Sequence, residues 1–127
     1  MHTISKQTEE ANDVWVDKYI FPGGYLPSVR EIASYFPNYN LRLLDYENLR
    51  IHYAMTLDEW TRRFLKHKKE IVNMYDEKFF RMWYFWLIGS ATGFRYGDLD
   101  LSQFVLVKGI NNNLPLTRER LYKKEKS

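Results

Sequence analysis

The chain has 127 residues, a formal charge of +3, 45% apolar residues and no cysteine. This length and composition predict one globular domain without a disulfide framework or thiolate chemistry. The mild charge argues against nucleic-acid binding, because such proteins carry a stronger basic stripe, whereas weak attraction to anionic lipid is compatible with it. Much of the positive charge lies in residues 118–126, so we expect a nearly balanced folded part.

Two further features of the composition bear on the kind of protein. Aromatic residues make up 17% of the chain, so rings either fill a core or face a ligand. The chain starts with the polar stretch MHTISKQTEE, and no apolar run reaches the roughly 20 residues that span a bilayer. We therefore expect a cytoplasmic protein, peripheral to a membrane at most.

The first predicted elements in chain order are short. Residues 1–5 contain a β-leaning fragment, His-Thr-Ile, with nothing before it to make a full strand. Residues 8–18 fit a short helix, which leads into the loop YIFPGGYLPS at 19–28. This loop combines two prolines and two glycines with large apolar side chains, an unusual composition for a turn, which is usually polar.

Helix and strand signals follow the loop. Ser28 and Glu31 have the spacing of a capping box, which predicts a helix over 29–36 that the stretch PNYN then breaks. The alternating Leu-Arg-Leu within 41–44 predicts a strand. A second capping-box pattern, TLDE at 56–59, predicts the start of a longer helix.

That longer helix has one face marked by large side chains. They recur at three- and four-residue steps, at Leu57, Trp60, Phe64, His67, Ile71 and Met74. We interpret His67 as a packed or partly exposed residue, because a lone histidine on such a face is seldom a ligand.

The second half of the chain is aromatic and then β-branched. Residues 79–88 have rings on every side, which predicts a helix buried all round, and the small residues within 88–98 end it. Residues 99–107 predict a strand and 111–113 a turn.

The order of strands and helices predicts an α/β fold, in one unit over 1–113 that is followed by a charged tail over 114–127. The sequence has neither G-x-G-x-x-G nor a P-loop, the signatures of a nucleotide site after the first strand. Asp98 and Asp100 are paired carboxylates, but they flank a predicted turn, and the preference of aspartate for turns explains their presence there. No spacing indicates a metal site.

Tyr53 has the position that most suggests a ligand site. With His52 it lies between the predicted strand and the predicted helix, and α/β folds bind ligands at the carboxyl ends of their strands. A tyrosine packed under the preceding loop explains the same position, and position alone slightly favours packing.

Three long blocks together resemble the cyclopropane fatty acid synthases and the related mycolic acid cyclopropane synthases. The blocks are DKYIFPGGYLPSVREI, ENLRIHYAMTLDEWTRRF and FFRMWYFWLIGSATGFRYGDLDLSQFVLVKG, and the match runs from His2 to about Gly109. The resemblance implies the C-terminal portion of a Rossmann-like, S-adenosylmethionine-dependent methyltransferase domain, with an incomplete sheet.

The resemblance also implies a reaction. A methylene group is transferred from S-adenosylmethionine to the cis double bond of a phospholipid acyl chain, and a bound bicarbonate takes the proton as the ring closes. The intermediate is a carbocation, so the pocket must exclude water and ring faces can stabilise the charge.

Functional residues are carried over by motif. The bicarbonate site corresponds to His2, Ile4 and Tyr53. The loop at 19–28 would wrap the acyl chain, and acyl-pocket positions correspond to Phe21, Leu26, Leu57, Ser90 and Phe94. Core packing explains Leu26 and Leu57 equally well.

The resemblance sets expectations for cofactor and partners. The Gly-rich cofactor loop of the family has no counterpart here, so we expect the isolated chain to bind no S-adenosylmethionine and to be inactive. A non-catalytic lipid-binding or interaction module derived from the family is the alternative. Expected partners are an unsaturated acyl chain, a membrane surface and a second copy paired through an exposed sheet edge, but no nucleic acid.

Overall fold

A computed structural model describes residues 1–9 and 13–122 of the chain. Within them the elements are three strands and six helices. In chain order they are β1 His2–Lys6, α1 Val14–Tyr19, α2 Val29–Tyr35, β2 Leu41–Asn48, α3 Arg50–Lys66, α4 Lys68–Met74, α5 Glu77–Tyr96, β3 Leu99–Lys108 and α6 Glu119–Tyr122. A 3₁₀ turn at Pro37–Tyr39 follows α2.

The described strands form one antiparallel sheet in the order β1-β3-β2. The last strand therefore lies in the middle, with Ile4 opposite Leu101 on one side and Asn48 opposite Ser102 on the other. The β-leaning start of the chain is thus a full strand of five residues. A lone fragment was expected because its partner lies about a hundred residues away, beyond the reach of local patterns.

A helical hairpin made by α3 and α5 packs on one face of the sheet. The buried core lies between these helices and β3, and it consists of Ala54, Leu57, Leu87, Ala91, Phe94 and Leu101. On the other face, the ring of Phe104 meets those of Phe36 and Tyr46 at 5.6 and 5.1 Å between centroids. None of the helices in the described ranges is long and apolar enough to cross a membrane.

The capping box at the start of α2 is confirmed. The Ser28 side chain accepts a hydrogen bond from the Glu31 amide at 3.1 Å, and the Glu31 carboxylate accepts one from the Ser28 amide at 2.7 Å. The short helix expected over 8–18 is present as α1 from Val14, while residues 10–12 lie outside the described ranges.

The second predicted capping box is wrong. The strand β2 extends to Asn48 and α3 begins at Arg50, so Thr56 lies inside the helix and donates to the carbonyl of His52 at 3.1 Å. The pattern was misleading because Ala54, two residues earlier, is fully buried and tertiary packing continues the helix through it. His52 and Tyr53 consequently lie in the first turn of α3.

The single long helix expected through Met74 is in fact two. It ends at Lys66, and His67 takes non-helical angles (φ −98°, ψ 19°) before α4 begins at Lys68. The side chain of His67 is 59% exposed and lies 3.0 Å from Glu70, in keeping with the interpretation of a partly exposed residue.

The aromatic helix α5 is longer and less buried than expected. It runs from Glu77 to Tyr96, and it ends within the segment of small residues, at Gly97. Phe85 is 58% exposed, so the expectation of burial all round is wrong. An all-aromatic helix need not be enclosed, because a ring can also face a cavity.

Residues after 113 make at least one contact with the sheet. The guanidinium of Arg118 donates to the carboxylate of Asp45 at 2.7 Å, just before the single turn α6. The division into 1–113 and a tail stays a prediction, and residues 123–127 lie outside the described ranges.

Candidate functional site

Segments that are distant in the sequence meet around one cavity of about 860 Å³. Its walls come from α1, the loop after it, the first turns of α3, the second half of α5 and the start of β3. Seven of the eight predicted site residues line it, namely Ile4, Phe21, Leu26, Tyr53, Leu57, Ser90 and Phe94. The cavity has the size of a small-molecule pocket and is mostly apolar, with Lys6, Asp13 and Asp98 as its charged members.

Tyr53 and Phe94 form the centre of one wall. Their rings meet edge to face with centroids 4.9 Å apart, and Phe94 is only 1% exposed. Burial raises the pKa of the Tyr53 phenol above its ordinary value. Within residues 1–9 and 13–122 its hydroxyl makes no hydrogen bond. Tyr53 is thus a neutral donor at the cavity surface.

The loop between α1 and α2 closes another side of the cavity. Gly23 has φ +70° and its amide donates to the Asp17 carboxylate at 2.9 Å. The Gly24 amide donates to the Phe21 carbonyl at 2.9 Å, and a Cβ at Gly24 would approach that oxygen to 3.0 Å. This tight turn directs Phe21 onto the ring of Trp86, at 5.7 Å between centroids. The glycines of the loop therefore permit the turn that places the Phe21 ring against Trp86.

His2 is the predicted site residue that the cavity lining lacks. It lies in β1 opposite Gln103, on the same face as Ile4 but two residues further along, and its side chain is exposed. At about 3.3 Å per residue, that separation is close to 7 Å.

Leu57 is both a cavity wall and part of the core. Its side chain has no exposed surface, and it packs in the buried cluster with Leu87 and Leu101. Leu26 is half-buried, so it is not part of the closed core.

The interpretation of Asp100 as a turn residue is wrong. It lies in β3, is 2% exposed, and accepts a hydrogen bond from the Gln7 side chain. Its carboxylate is also 4.0 Å from the guanidinium of Arg50. The positive charge of Arg50, which is 50 residues away in the sequence, explains why this carboxylate can be buried. A position in a turn would not explain the burial.

The family described as mycolic acid cyclopropane synthetase matches residues 1–104. The chain belongs to this family.

Known cyclopropane synthases and methyltransferases align with most of the chain. The chain is 42% identical over 120 residues to the cyclopropane-fatty-acyl-phospholipid synthase of Escherichia coli strain K12. The aligned region covers 93% of this chain and 31% of that protein. This chain is 43% identical over 96 residues to the tuberculostearic acid methyltransferase UfaA1 of Mycobacterium tuberculosis, with 74% and 22% covered. The chain thus spans about a third or less of these relatives.

Solved cyclopropane synthases share the fold. The cyclopropane synthase MmaA2 of Mycobacterium tuberculosis matches 84% of this chain with a TM-score of 0.77 and 28% identity. The mycolic acid cyclopropane synthase CmaA1, complexed with SAH and CTAB, matches 83% with a TM-score of 0.75 and 26% identity. The chain covers 42% of each structure, so it has part of the family's S-adenosylmethionine-dependent methyltransferase fold, with a small three-stranded sheet.

Sequence reasoning missed four aromatic residues of this cavity, one of which is Tyr25 in the loop after α1. The other three are Trp15, Phe85 and Trp86, and the rings of Trp15 and Phe85 meet at 5.1 Å. The aromatic run on α5 was a signal, but it was attributed to burial alone. The rings instead form a rim where α1 lies against α5.

Proposed function

We propose that this chain forms the acyl-chain pocket of a cyclopropane-fatty-acyl-phospholipid synthase. The reaction would transfer a methylene group from S-adenosylmethionine to a cis-unsaturated acyl chain. The observation that supports this most is one ring-lined cavity, which brings together Ile4 and six predicted residues from the three family blocks. The edge-to-face contact between Tyr53 and Phe94, both in the cavity lining, supports the proposal further.

The composition of the cavity suits the chemistry. An alkene attacking a sulfonium methyl group becomes a carbocation, which water would capture, so the surroundings must be dry. Phe21, Trp86 and Phe94 present rings in the cavity wall, and aromatic faces attract a cation without reacting with it. The role of these side chains would be to bind the acyl chain and to exclude water.

The residues of this chain fit bicarbonate in part. Tyr53 offers a neutral hydroxyl at the cavity surface, and Ile4 also lies in the lining. His2 does not line the cavity. We therefore assign anion binding to Tyr53 and Ile4 and leave His2 outside it.

The residues of this chain do not fit S-adenosylmethionine. No strand in the described ranges is followed by a Gly-rich loop, and the sequence has no G-x-G-x-x-G. We therefore derive no contact with the cofactor. Calorimetry of the isolated chain with S-adenosylmethionine should show no binding.

Acyl binding can be tested with a brominated fatty acid, which quenches nearby tryptophans. Trp15 and Trp86 line the cavity, so binding should quench the chain's fluorescence. Ser90→Phe would fill part of the cavity. Displacing two methylene groups, each worth roughly 0.8 kcal/mol, would weaken binding about ten-fold. Thr92→Phe is the matched control, because Thr92 is exposed on the same helix and outside the lining.

A chimera tests the reaction itself. The chain replaces the matching third of the Escherichia coli synthase, and cyclopropane lipid is measured by gas chromatography. We expect activity that Tyr53→Phe lowers strongly. Acyl binding with an inactive chimera would support the non-catalytic lipid-binding module instead. Equal binding by the Ser90→Phe and Thr92→Phe variants would contradict the pocket.

A further inference from the structure

The far end of the α3–α5 hairpin concentrates positive charge. We call it the basic tip and define it as residues 61–81, which include the end of α3, α4 and the start of α5. The sequence has seven Lys or Arg and three acidic residues there, a net of +4, against +3 for the whole chain. The folded part is therefore close to balanced only in total, and its charge is strongly polarised.

Part of this charge has no ion-pair partner among the described residues. Arg62 and Arg63 both bond to Glu59. In the part of the chain that the structure describes, Lys66, Lys69 and Lys78 make no ion pair, and all three are exposed. These ammonium groups are free to meet an anionic partner.

Large apolar side chains accompany the lysines. Met74 is 72% exposed, Tyr75 61% and Leu65 45%. The ring of Tyr75 stacks on that of Phe79 at 4.3 Å, and beneath them Phe64 and Phe80 stack at 4.9 Å. The ring of Tyr75 is therefore held in place by stacking.

We propose that the basic tip docks on the surface of an anionic lipid bilayer. Lysines near such a surface gain roughly 1 kcal/mol each from its negative potential. Met74 and Leu65 would enter the acyl boundary, and tyrosine prefers the headgroup level. The tip lies at the opposite end of the hairpin from Tyr53 and Phe94, so docking is separate from the acyl cavity.

Nucleic acid is the other polyanion that a basic surface could bind. Its phosphates would engage the lysines, but burial of Met74 and Leu65 would gain nothing on a phosphate backbone. The combination of unpaired lysines with exposed aliphatic side chains therefore favours lipid.

Co-sedimentation with vesicles tests the proposal. The full chain should bind phosphatidylglycerol vesicles and bind phosphatidylcholine vesicles much more weakly. The triple variant Lys66→Gln, Lys69→Gln and Lys78→Gln should weaken binding to phosphatidylglycerol by about 100-fold, since three lysines are lost. A matched triple at exposed cations elsewhere, Arg30→Gln, Arg42→Gln and Lys108→Gln, should weaken it by much less.

Further variants separate the tip from other sources of binding. The segment 114–127 has five basic and two acidic residues, so a variant ending at Asn113 is compared, and it should retain tip-dependent binding. Met74→Ser should weaken binding even in high salt, which screens the lysines. Thr92→Phe should leave vesicle binding unchanged, because Thr92 lies outside both the basic tip and the cavity lining.

Three results would overturn the proposal. They are equal losses in the two triple variants, absence of binding to phosphatidylglycerol vesicles, and tighter binding to a single-stranded RNA than to vesicles. Circular dichroism of each variant must match that of the parent chain. The replaced lysines are exposed, so the fold should be unaffected.

Discussion

The guanidinium of Arg50 donates a hydrogen bond to the carbonyl oxygen of Phe94 at 2.7 Å. It donates a second to the carbonyl of Arg95 at 2.8 Å. These carbonyls belong to the last turn of α5, where they lack helical partners. Arg50 thereby ties the start of α3 to the end of α5, next to the buried carboxylate of Asp100. These bonds help to hold Phe94 in position in the cavity wall.

Replacing Arg50 should therefore destabilise the fold. Arg50→Met removes both hydrogen bonds and leaves Asp100 buried with less compensation, so the free energy of unfolding should fall by about 2–3 kcal/mol. Arg50→Lys keeps the charge but removes the guanidinium, whose Nη1 makes both bonds, so its loss of stability should be intermediate. Urea denaturation measures this, and adding Asp100→Asn should recover part of the loss. If the urea midpoint of Arg50→Met equals that of the parent chain, the Arg50 hydrogen bonds contribute nothing to stability.

Tyr53 should make stability depend on pH in the alkaline range. Burial raises its pKa above 10.0, so the folded state keeps a proton that the unfolded state releases. Stability from this source is complete below about pH 10 and declines as pH rises through the raised pKa. Unfolding midpoints of the parent and of Tyr53→Phe, compared across this range, should show a steeper decline in the parent.

A second tyrosine provides the control for that measurement. The phenol of Tyr25 also has a raised pKa, because it donates to the carboxylate of Glu31, but it lies at an exposed site. Tyr25→Phe should leave the Tyr53 contribution in place. Identical alkaline profiles for the parent and Tyr53→Phe would mean that the phenol is not desolvated.

Two glycines of α5 should respond differently to alanine. Glycine inside a helix costs up to about 1 kcal/mol relative to alanine. A Cβ at Gly89 meets nothing within 4 Å, so Gly89→Ala should stabilise the chain by roughly that amount. A Cβ at Gly93 would lie 2.9 Å from Leu99 Cδ1, so Gly93→Ala should gain less or destabilise. Thermal unfolding of both variants measures the difference. An equal gain in stability at the two sites would contradict the prediction.

The outer edge of β1 should promote self-association. The Lys6 amide points away from β3 and donates to the Pro27 carbonyl at 3.1 Å, and by the period of a strand the amides of His2 and Ile4 point the same way. An exposed edge of this kind pairs readily with another strand. We expect the chain to form dimers or larger species in light scattering.

A proline tests the edge without disturbing the pairing with β3. His2→Pro removes one outward amide, and it should shift the chain toward monomer. His2→Val keeps that amide and should associate like the parent. A parent chain that is monomeric at all concentrations would remove the basis for this prediction.

Local patterns predicted local structure well. The capping box at Ser28 and Glu31 is present because it depends on contacts within one turn. The same kind of pattern failed at Thr56, where buried Ala54 continues the helix. At His67 the helix breaks without any glycine or proline, so no local signal announced it.

The family resemblance predicted more residues of the candidate site than the periodicity of the sequence did. Tyr53 and Phe94 were named from motifs, and their contact at 4.9 Å joins them in one cavity. No pattern in the sequence linked Trp15 to Phe85, since they approach only when α1 lies against α5. Asp100 was misread for the same reason, because its partners Gln7 and Arg50 are remote in sequence.

The sequence by itself determined most of the elements, the cap of α2, and the family to which the chain belongs. These depend on interactions between residues a few positions apart or on long matching motifs. Only the tertiary structure decided that β3 lies between β1 and β2, and that rings from distant segments line one cavity. Each of these depends on contacts between distant segments, whose free energy no local pattern encodes.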